Sequence, residues 1–437
     1  MHWAIRILRG VLAIAALVVV AAAPQGAQAR TYKVIHDFCQ DMMTCRDGAY
    51  PNDVVLDGKG RLFGTTYEGG AHDAGVVFVL KPDKAGGYIY KALYDFCPAP
   101  GCADGRHPYG GLIVDGEGNV FGTTSEGGAN TKGVVFALLY DGAAKAYTYK
   151  VLYSFCAQAN CADGAYPSTT LTIDEAGNLF GVTYYGALDG AGVIFKLAPN
   201  KKKTRWTFTA LHSFAEHTYP YFTLLLDKNG NLFGSSNQDG SRGKGTIFKL
   251  AFNKSKGTYA FRTLHNFCTE GGDCTGGAYP YNGNLPMVML EDGSLIGTAD
   301  TGGAQDGGVV FKLTPPAAGA KVKWSYSVLH DFCSKGGAAC TDGVSPYTNP
   351  IMDAKGNLYG TTNEGGIDNN GVLYKLVFNK SKGTYSQRTL HKFCSEPDCA
   401  DGYNLYAGVV MDGAGNLFGA TANGGSYAGV IYELVND

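Results

Sequence analysis

The chain repeats itself, and that repetition limits what it can fold into more than any other feature. The glycine of the phrase Asn-Leu-Phe-Gly-Thr-Thr serves as a marker. It falls at Gly64, Gly122, Gly181, Gly234, Gly297, Gly360 and Gly419, with spacings of 53 to 63 residues. Every unit carries the same four apolar runs. In the second they are strand A (110–115), strand B (119–124), strand C (133–139) and strand D (147–155). Between A and B lies Asp115-Gly116-Glu117-Gly118, a tight turn whose glycines accept positive φ. Between B and C lies Glu126-Gly127-Gly128 and a polar loop. No segment after residue 29 sustains a helical period.

Four short strands per unit, in seven units with one turn chemistry, predict an all-β, seven-bladed β-propeller. Strand C is a continuous apolar run, as in Val76-Val77-Phe78-Val79-Leu80, which requires burial on both faces. Stacked blades supply that burial. A stacked solenoid is the rival fold, but it needs polar caps at both ends, and the sequence has none. Chain order also predicts closure. The repeats begin with a D-type strand at 32–38 and end with a C-type strand at 430–435, so the first strand completes the last blade. Closing the ring removes exposed sheet edges.

Composition narrows the function classes. Gly accounts for 63 of 437 residues and charged residues for only 17%, with abundant Tyr and Phe, which excludes a disordered chain. The formal net charge of −2 gives no basic field for nucleic acid. Residues 1–29 read as a signal peptide. Arg6 and Arg9 precede an apolar stretch from Val11 to Ala23, and Ala27-Gln28-Ala29 is a small-x-small cleavage site. The expected mature unit is a single propeller domain over 30–437, with 34 basic against 38 acidic residues. It is expected to be exported, periplasmic or extracellular, and monomeric, with no membrane span and no cofactor.

Units such as 356–366 (Gly-Asn-Leu-Tyr-Gly-Thr-Thr-Asn-Glu-Gly-Gly), followed by 371–376 (Gly-Val-Leu-Tyr-Lys-Leu), resemble the GloVer tandem repeat. The resemblance recurs seven times and implies an exported bacterial repeat protein, of a kind with varied surface-anchoring tails. It implies no particular activity. The C-terminal segment 431–437 carries no hydrophobic anchor of that kind.

All 12 cysteines fall in the loops between strands D and A, as the neighbours Cys39 and Cys45, Cys97 and Cys102, Cys156 and Cys161, Cys268 and Cys274, Cys333 and Cys340, and Cys394 and Cys399. Repeat 4 lacks both members of its pair, as pairing within the loop requires. An oxidising compartment then predicts six local disulfides, whose main effect is to stiffen their own loops. A metal reading needs two further ligands per pair, and none recurs at suitable spacing.

Aligned residues of different blades converge only near the axis. His36, His212, His265, His330 and His391 share one position on the outer strand D, where Tyr94 and Tyr153 stand in the other repeats. They cannot meet, so packing and hydrogen bonding are the expected roles. Asp47, Asp104, Asp163, Asp342 and Asp401 open a repeated Asp-Gly phrase before strand A, and turn chemistry accounts for them. The position after the proline that opens strand A is closer to the axis. It reads Asn52, Tyr109, Ser168, Tyr221, Tyr281, Tyr347 and, after Leu405, Tyr406. A ring of tyrosines at a channel mouth suits a glycan or a cell-surface protein. Departures from the repeat cluster in units 4 and 5. Repeat 4 brings His217 and Arg242, and repeat 5 inserts residues 282–286 before strand A. These are expected to form one asymmetric pocket with Tyr221 and Tyr281. The leading expectation is a non-enzymatic binding propeller using the disulfide-bearing face. The alternative is a polysaccharide lyase or glycoside hydrolase with carboxylates such as Glu68, Glu126 and Glu364 on that face. An asymmetric carboxylate or histidine cluster at the axis would favour the enzyme, and a bare symmetric face a purely structural envelope protein.

Overall fold

The computed structural model describes residues 30–436 except 42, 188–189, 216–217, 219, 270–273, 281–282, 318–322 and 335–339. The signal-peptide region lies outside the described residues. Seven small antiparallel sheets form the propeller, each ordered A-B-C-D from the axis outward. In blade 1 the strands are Ala49–Leu56, Leu62–Glu68, Val76–Pro82 and Tyr88–Asp95. Blade 3 adds Ala165–Pro167 beside its strand B. The first strand, Thr31–Asp37, pairs antiparallel with Val430–Val435, from Thr31 opposite Val435 to Asp37 opposite Val430. Closure therefore joins the two ends of the chain in blade 7, as the strand order required.

The marker glycine has a packing cause. A Cβ on Gly64 would lie 2.5 Å from Phe78 Cζ, and one on Gly181 would lie 2.5 Å from Phe195 Cζ and 2.8 Å from Leu171 Cδ2. The corresponding glycines of the other five blades face Phe136, Phe248, Phe311, Tyr374 and Tyr432 in the same way. Each strand B thus gives up a side chain so that the aromatic ring of strand C can lie flat on its backbone. These rings are wholly buried, as are the phenylalanines that end strand D, from Phe38 and Phe96 to Phe393.

Outside blade 1, strand A is shorter than the apolar pattern implies. In blade 2 it is Ile113–Val114 rather than 110–115. The preceding residues leave the ladder because the previous blade captures their carbonyls. The Thr361 hydroxyl donates to Ala407 O at 2.9 Å, Thr298 to Thr348 O at 3.2 Å and Thr123 to Thr169 O at 3.3 Å. The start of strand A is thereby turned toward the axis.

All six disulfides form within their own loops, in the pairing expected. Cys39 bonds to Cys45, Cys97 to Cys102, Cys156 to Cys161, Cys268 to Cys274, Cys333 to Cys340 and Cys394 to Cys399. The backbone at these cysteines has a further role, independent of the sulfurs. The second cysteine of each pair takes the left-handed region: Cys45, Cys102, Cys161, Cys274, Cys340 and Cys399 all have positive φ. That turn aims its carbonyl at two N–H groups. One belongs to the glycine three residues on: Gly105 donates to Cys102 O at 2.9 Å, Gly164 to Cys161 O, Gly277 to Cys274 O, Gly343 to Cys340 O and Gly402 to Cys399 O, each at 2.8 Å. The other comes from the B–C loop: Gly128 donates to Cys102 O and Ala187 to Cys161 O at 2.9 Å, Gly303 to Cys274 O at 3.0 Å, Gly366 to Cys340 O at 3.2 Å and Gly425 to Cys399 O at 3.1 Å. The cysteine backbone thus couples the two loops of one face.

The repeated aspartates organise those same loops and clasp strand D. Asp47 Oδ2 lies 3.0 Å from His36 Nε2, and Asp401 Oδ2 lies 2.9 Å from His391 Nε2. Asp104 accepts from the Tyr94 hydroxyl at 2.9 Å, and Asp163 from Tyr153 at 2.7 Å. Where the phrase loses its aspartate, His212 and His265 have no carboxylate hydrogen bond among the described residues, and burial lowers the pKa of both, His265 to about 4, with Asp239 opposing the shift at His212. The outer histidines are structural, as the interchange with tyrosine implies.

Replacing Gly181 by Ala is expected to cost about 1–3 kcal/mol through overpacking against Phe195. Denaturant unfolding measures this, and adding Phe195→Leu should recover part of the loss because the two sites share one contact. Additive losses in that double variant would remove the packing explanation.

Candidate functional site

The axis is not filled. On the disulfide-bearing face a mouth of about 210 Å³ is lined by Tyr50, Tyr67, Tyr109, Tyr221 and Tyr406, with Pro51, Asn52, Asn284, Ala422 and Asn423. The Tyr67 and Tyr109 rings meet edge to face at 5.7 Å, Tyr109 and Tyr221 at 5.8 Å, and Tyr347 and Tyr406 at 5.8 Å. Tyr109 is 36% exposed and Tyr406 46%, so both present ring surface to solvent. Burial raises the Tyr109 phenol, an effect partly offset by a hydrogen bond from Tyr221. Burial, with Asp300 and Tyr406 nearby, pushes Tyr347 up to about 12. Burial thus favours the neutral phenol at Tyr50, Tyr67 and Tyr109 in the mouth and at Tyr347 beside it. Glu68 and Glu126 act on Tyr67, and Asp300 and Glu364 on Tyr347, so the surrounding charge is acidic. Arg106 is engaged by Glu126 at 2.9 Å.

Asn284 also lines a second space along the axis, a cavity of about 400 Å³. Its walls come from strand A of successive blades: Val54, Val55, Leu112, Ile113, Leu171, Ile173, Leu224, Leu225, Leu285 and Val410. Polar groups reach it from Asp53, Thr170, Thr223 and Asn284. Asp53 is the one charged residue among the described residues lining either space. Its side chain accepts at Oδ1 from the Val54 backbone N–H at 2.8 Å, and no described residue pairs with Oδ2. At 4% exposure it is nearly sealed from bulk solvent, and burial pushes its carboxyl up to about 7, against the lowering effect of the Val54 bond.

Of the sequence-derived candidates, Tyr109, Tyr221 and Tyr406 share the mouth, and Tyr347 packs on Tyr406. Tyr281 and His217 lie outside the described residues. Arg242 is exposed in the B–C loop of blade 4 and does not line the mouth. The cysteines share the mouth's face but stand back from it: Cys102, Cys161, Cys274, Cys340 and Cys399, like their partners, line neither the mouth nor the cavity. Cys39 and Cys45 lie beside Asp41, but both sulfurs are held in their disulfide, which leaves no thiolate for a metal. The insertion in repeat 5 does reach the axis, through Asn284, Leu285 and Pro286. Asn349 anchors it by donating to Leu285 O at 2.9 Å. Tyr50, Tyr67 and Asp53 were not singled out from sequence. Asp53 carries a readable signal. Aligned on the A–B turn, its position holds Gly111, Thr170, Thr223, Pro286, Asn349 and Gly408 in the other blades, none of them charged.

The raised carboxyl makes a pH prediction. An unfolded aspartate ionises near 3.9, and the folded one near 7. Between these values the folded chain holds a proton that the unfolded chain has lost. The contribution is full below about 4 and is lost as pH rises through about 7. The buried Tyr432 phenol is coupled to this carboxyl and stays protonated across that range. Asp53→Asn should therefore stabilise the protein more at pH 8 than at pH 5 in thermal melts. An equal effect at both would mean that the carboxyl ionises freely.

Comparisons with known proteins follow the same outline. No curated protein matches the chain. The periplasmic gluconolactonase of Pseudomonas aeruginosa is similar in structure at 13% identity, covering 88% of this chain and 96% of that one, with a TM-score of 0.45. An ancestral GH74 enzyme is similar at 9% identity with a TM-score of 0.57, over 89% of this chain and 48% of that one. This chain thus spans about half the length of the GH74 enzyme, and the likeness is one of fold. The family model described as the Gloeobacter/Verrucomicrobia repeat matches residues 18–160, 90–287 and 259–437, and the protein belongs to that family.

Proposed function

We propose that the protein is an exported binding propeller that seats a neutral glycan against the tyrosine mouth. The observation that carries this reading is the convergence of Tyr50, Tyr67, Tyr109, Tyr221 and Tyr406 beside Asn52, Asn284 and Asn423. Sugar rings offer apolar C–H faces and a rim of hydroxyls. Phenol faces cover the first, and amides and phenol hydroxyls meet the second. The acidic surroundings disfavour polyanions. Six disulfides accord with an oxidising compartment, and among the described residues no helix is long and apolar enough to cross a membrane. Glycosidase chemistry needs two carboxyl groups at the bond, and the mouth lining contributes none among the described residues.

A glycan array probed with the chain from residue 30 onward tests this reading. The expected result is binding to neutral oligosaccharides, weakened about tenfold or more in Tyr109→Ala/Tyr406→Ala, with little change in melting temperature because both rings are partly exposed. Unaltered affinity in that variant, or binding confined to anionic polymers, would overturn it.

A catalytic reading on the same face has one observation in its favour. Asp300, beside Tyr347, has its carboxyl raised to about 6 by burial, with Glu364 and Asp306 adding to the effect. A carboxylic acid held protonated near neutrality suits a general acid. On this reading the protein releases reducing ends from a bound polysaccharide and Asp300→Asn abolishes the release. Binding without turnover in the wild type would exclude it.

A further inference from the structure

The axial cavity carries chemistry that the mouth does not explain. Three of its polar side chains are buried and have an oxygen without a partner. Asp53 Oδ2 has none among the described residues. Thr170 Oγ1 and Asn284 Oδ1 are buried without any hydrogen bond, in residues 9% and 4% exposed. Two of these oxygens border one gap, because a methyl on Gly111 would lie 2.6 Å from Thr170 Oγ1 and 3.3 Å from Asp53 Oδ2. That gap exists only because blade 2 has glycine at the ring position. Acceptors left unmade in a buried place are costly, so a gap bordered by two of them beside aliphatic walls is suited to an occupant that donates.

We propose that the axial cavity binds a primary organic ammonium with an aliphatic body, its nitrogen against Asp53 and Thr170 and its carbons along the leucine and isoleucine walls. An ammonium group has three N–H donors, enough to serve both oxygens that border the gap. A calcium ion takes six to eight oxygen ligands and a magnesium ion a full octahedron, which the mostly aliphatic lining does not offer. A neutral alcohol fills the same volume but leaves the carboxylate without a counter-charge. A carboxylate ligand would meet Asp53 as a like charge. About 400 Å³ lies within the range of small-molecule sites. This site is distinct from the glycan seat, shares with it only Asn284, and stands or falls separately.

The experiment uses three probes of equal length, hexylamine, hexanol and hexanoate, with the chain from residue 30 onward. Calorimetric titration at pH 7.5 should show hexylamine binding about tenfold or more tightly than hexanol, with no binding of hexanoate. Asp53→Asn should reduce hexylamine affinity about tenfold or more and leave hexanol unchanged. Thr170→Val keeps the side-chain outline and removes a hydroxyl that bonds to nothing, so it should fold normally and still weaken hexylamine. Tyr109→Ala/Tyr406→Ala should leave hexylamine binding intact, which separates this site from the mouth. Equal affinity for amine and alcohol would overturn the proposal. So would an Asp53→Asn variant that still prefers the amine. Asp53-dependent stabilisation by calcium chloride alone, without a response to hexylamine, would replace the organic cation by a metal.

Discussion

An aromatic pair between outer strands joins six of the seven pairs of neighbouring blades, and the ring depends on that contact. At the seventh junction, after His330, Gln387 stands where the others have an aromatic ring. His36 stacks on Tyr90 of the next blade at 4.5 Å, Tyr94 on Tyr149 at 3.9 Å, Tyr153 on Phe208 at 4.8 Å, His212 on Phe261 at 4.1 Å and His265 on Tyr326 at 4.2 Å. The series ends with His391 on Tyr32 at 3.9 Å, and Tyr32 belongs to the first strand of the chain. The partner's hydroxyl then reaches the D–A loop: Tyr90 donates to Asp47 O and Tyr32 to Asp401 O, both at 2.6 Å. One side chain thus ties strand D of one blade to strand D and the loop of the next. Closure is the same contact made between the two ends of the chain.

A second join lies nearer the axis and explains the rest of the repeated phrase. The residue before the strand-A proline takes the left-handed region, as at Tyr50, His107, Tyr166, Tyr279 and Ser345. This costs backbone energy, which an interblade hydrogen bond offsets. Tyr50 N–H donates to Ala428 O at 2.9 Å and His107 N–H to Ala74 O at 2.9 Å. The following proline packs on the glycine before the neighbour's strand C, where a Cβ on Gly75 would lie 2.6 Å from Pro108 Cδ. Most of the Asp-Gly-x-Tyr-Pro phrase is therefore consumed by joining blades, which is why its five aspartates form no catalytic array. The short disulfides sit in loops already fixed by these bonds, and they stiffen the face more than they hold the ring.

The parts of the molecule that repeat were legible from sequence because seven copies average out local accident. The blade number, the closing strand, the cysteine pairs and the structural role of the outer histidines all rest on positions seen five to seven times. The coupling of loops through the carbonyls of Cys102, Cys161, Cys274, Cys340 and Cys399 was not legible, because it depends on backbone direction rather than on the thiol. Neither was the short strand A, because the threonine hydroxyls that capture its carbonyls belong to another blade. Three tyrosines of the mouth were legible as a column. Tyr50 and Tyr67 were not, since each stands in a different column and reaches the mouth only through blade geometry. Asp53 was hidden by a one-residue shortening between Pro51 and Asp57, which shifts it out of line unless the A–B turn sets the alignment. Arg242 departs from the repeat in an exposed B–C loop, the kind of segment that varies most between copies.

The division of labour within each blade gives the ring position of Asp53 its freedom. Most joins that hold the ring lie in strand D and the D–A loop, with a second set where strand-B hydroxyls meet strand A of the next blade. Gly, Thr, Pro, Asn and Asp each occur at the ring position in one blade or another, so neither size nor polarity is fixed there by packing. Gly111 leaves the gap beside Thr170 and Asp53 open, whereas Leu285 of the repeat-5 insertion fills the space beside Gly408. A lone carboxyl in such a place is destabilising at neutral pH, since burial opposes its charge and no described cation compensates. A ring that could hold threonine or glycine at that position and holds aspartate keeps a chemical feature the fold does not need. Occupation by a cation turns that unfavourable burial into binding energy, so the residue least consistent with the architecture is the one best placed for recognition.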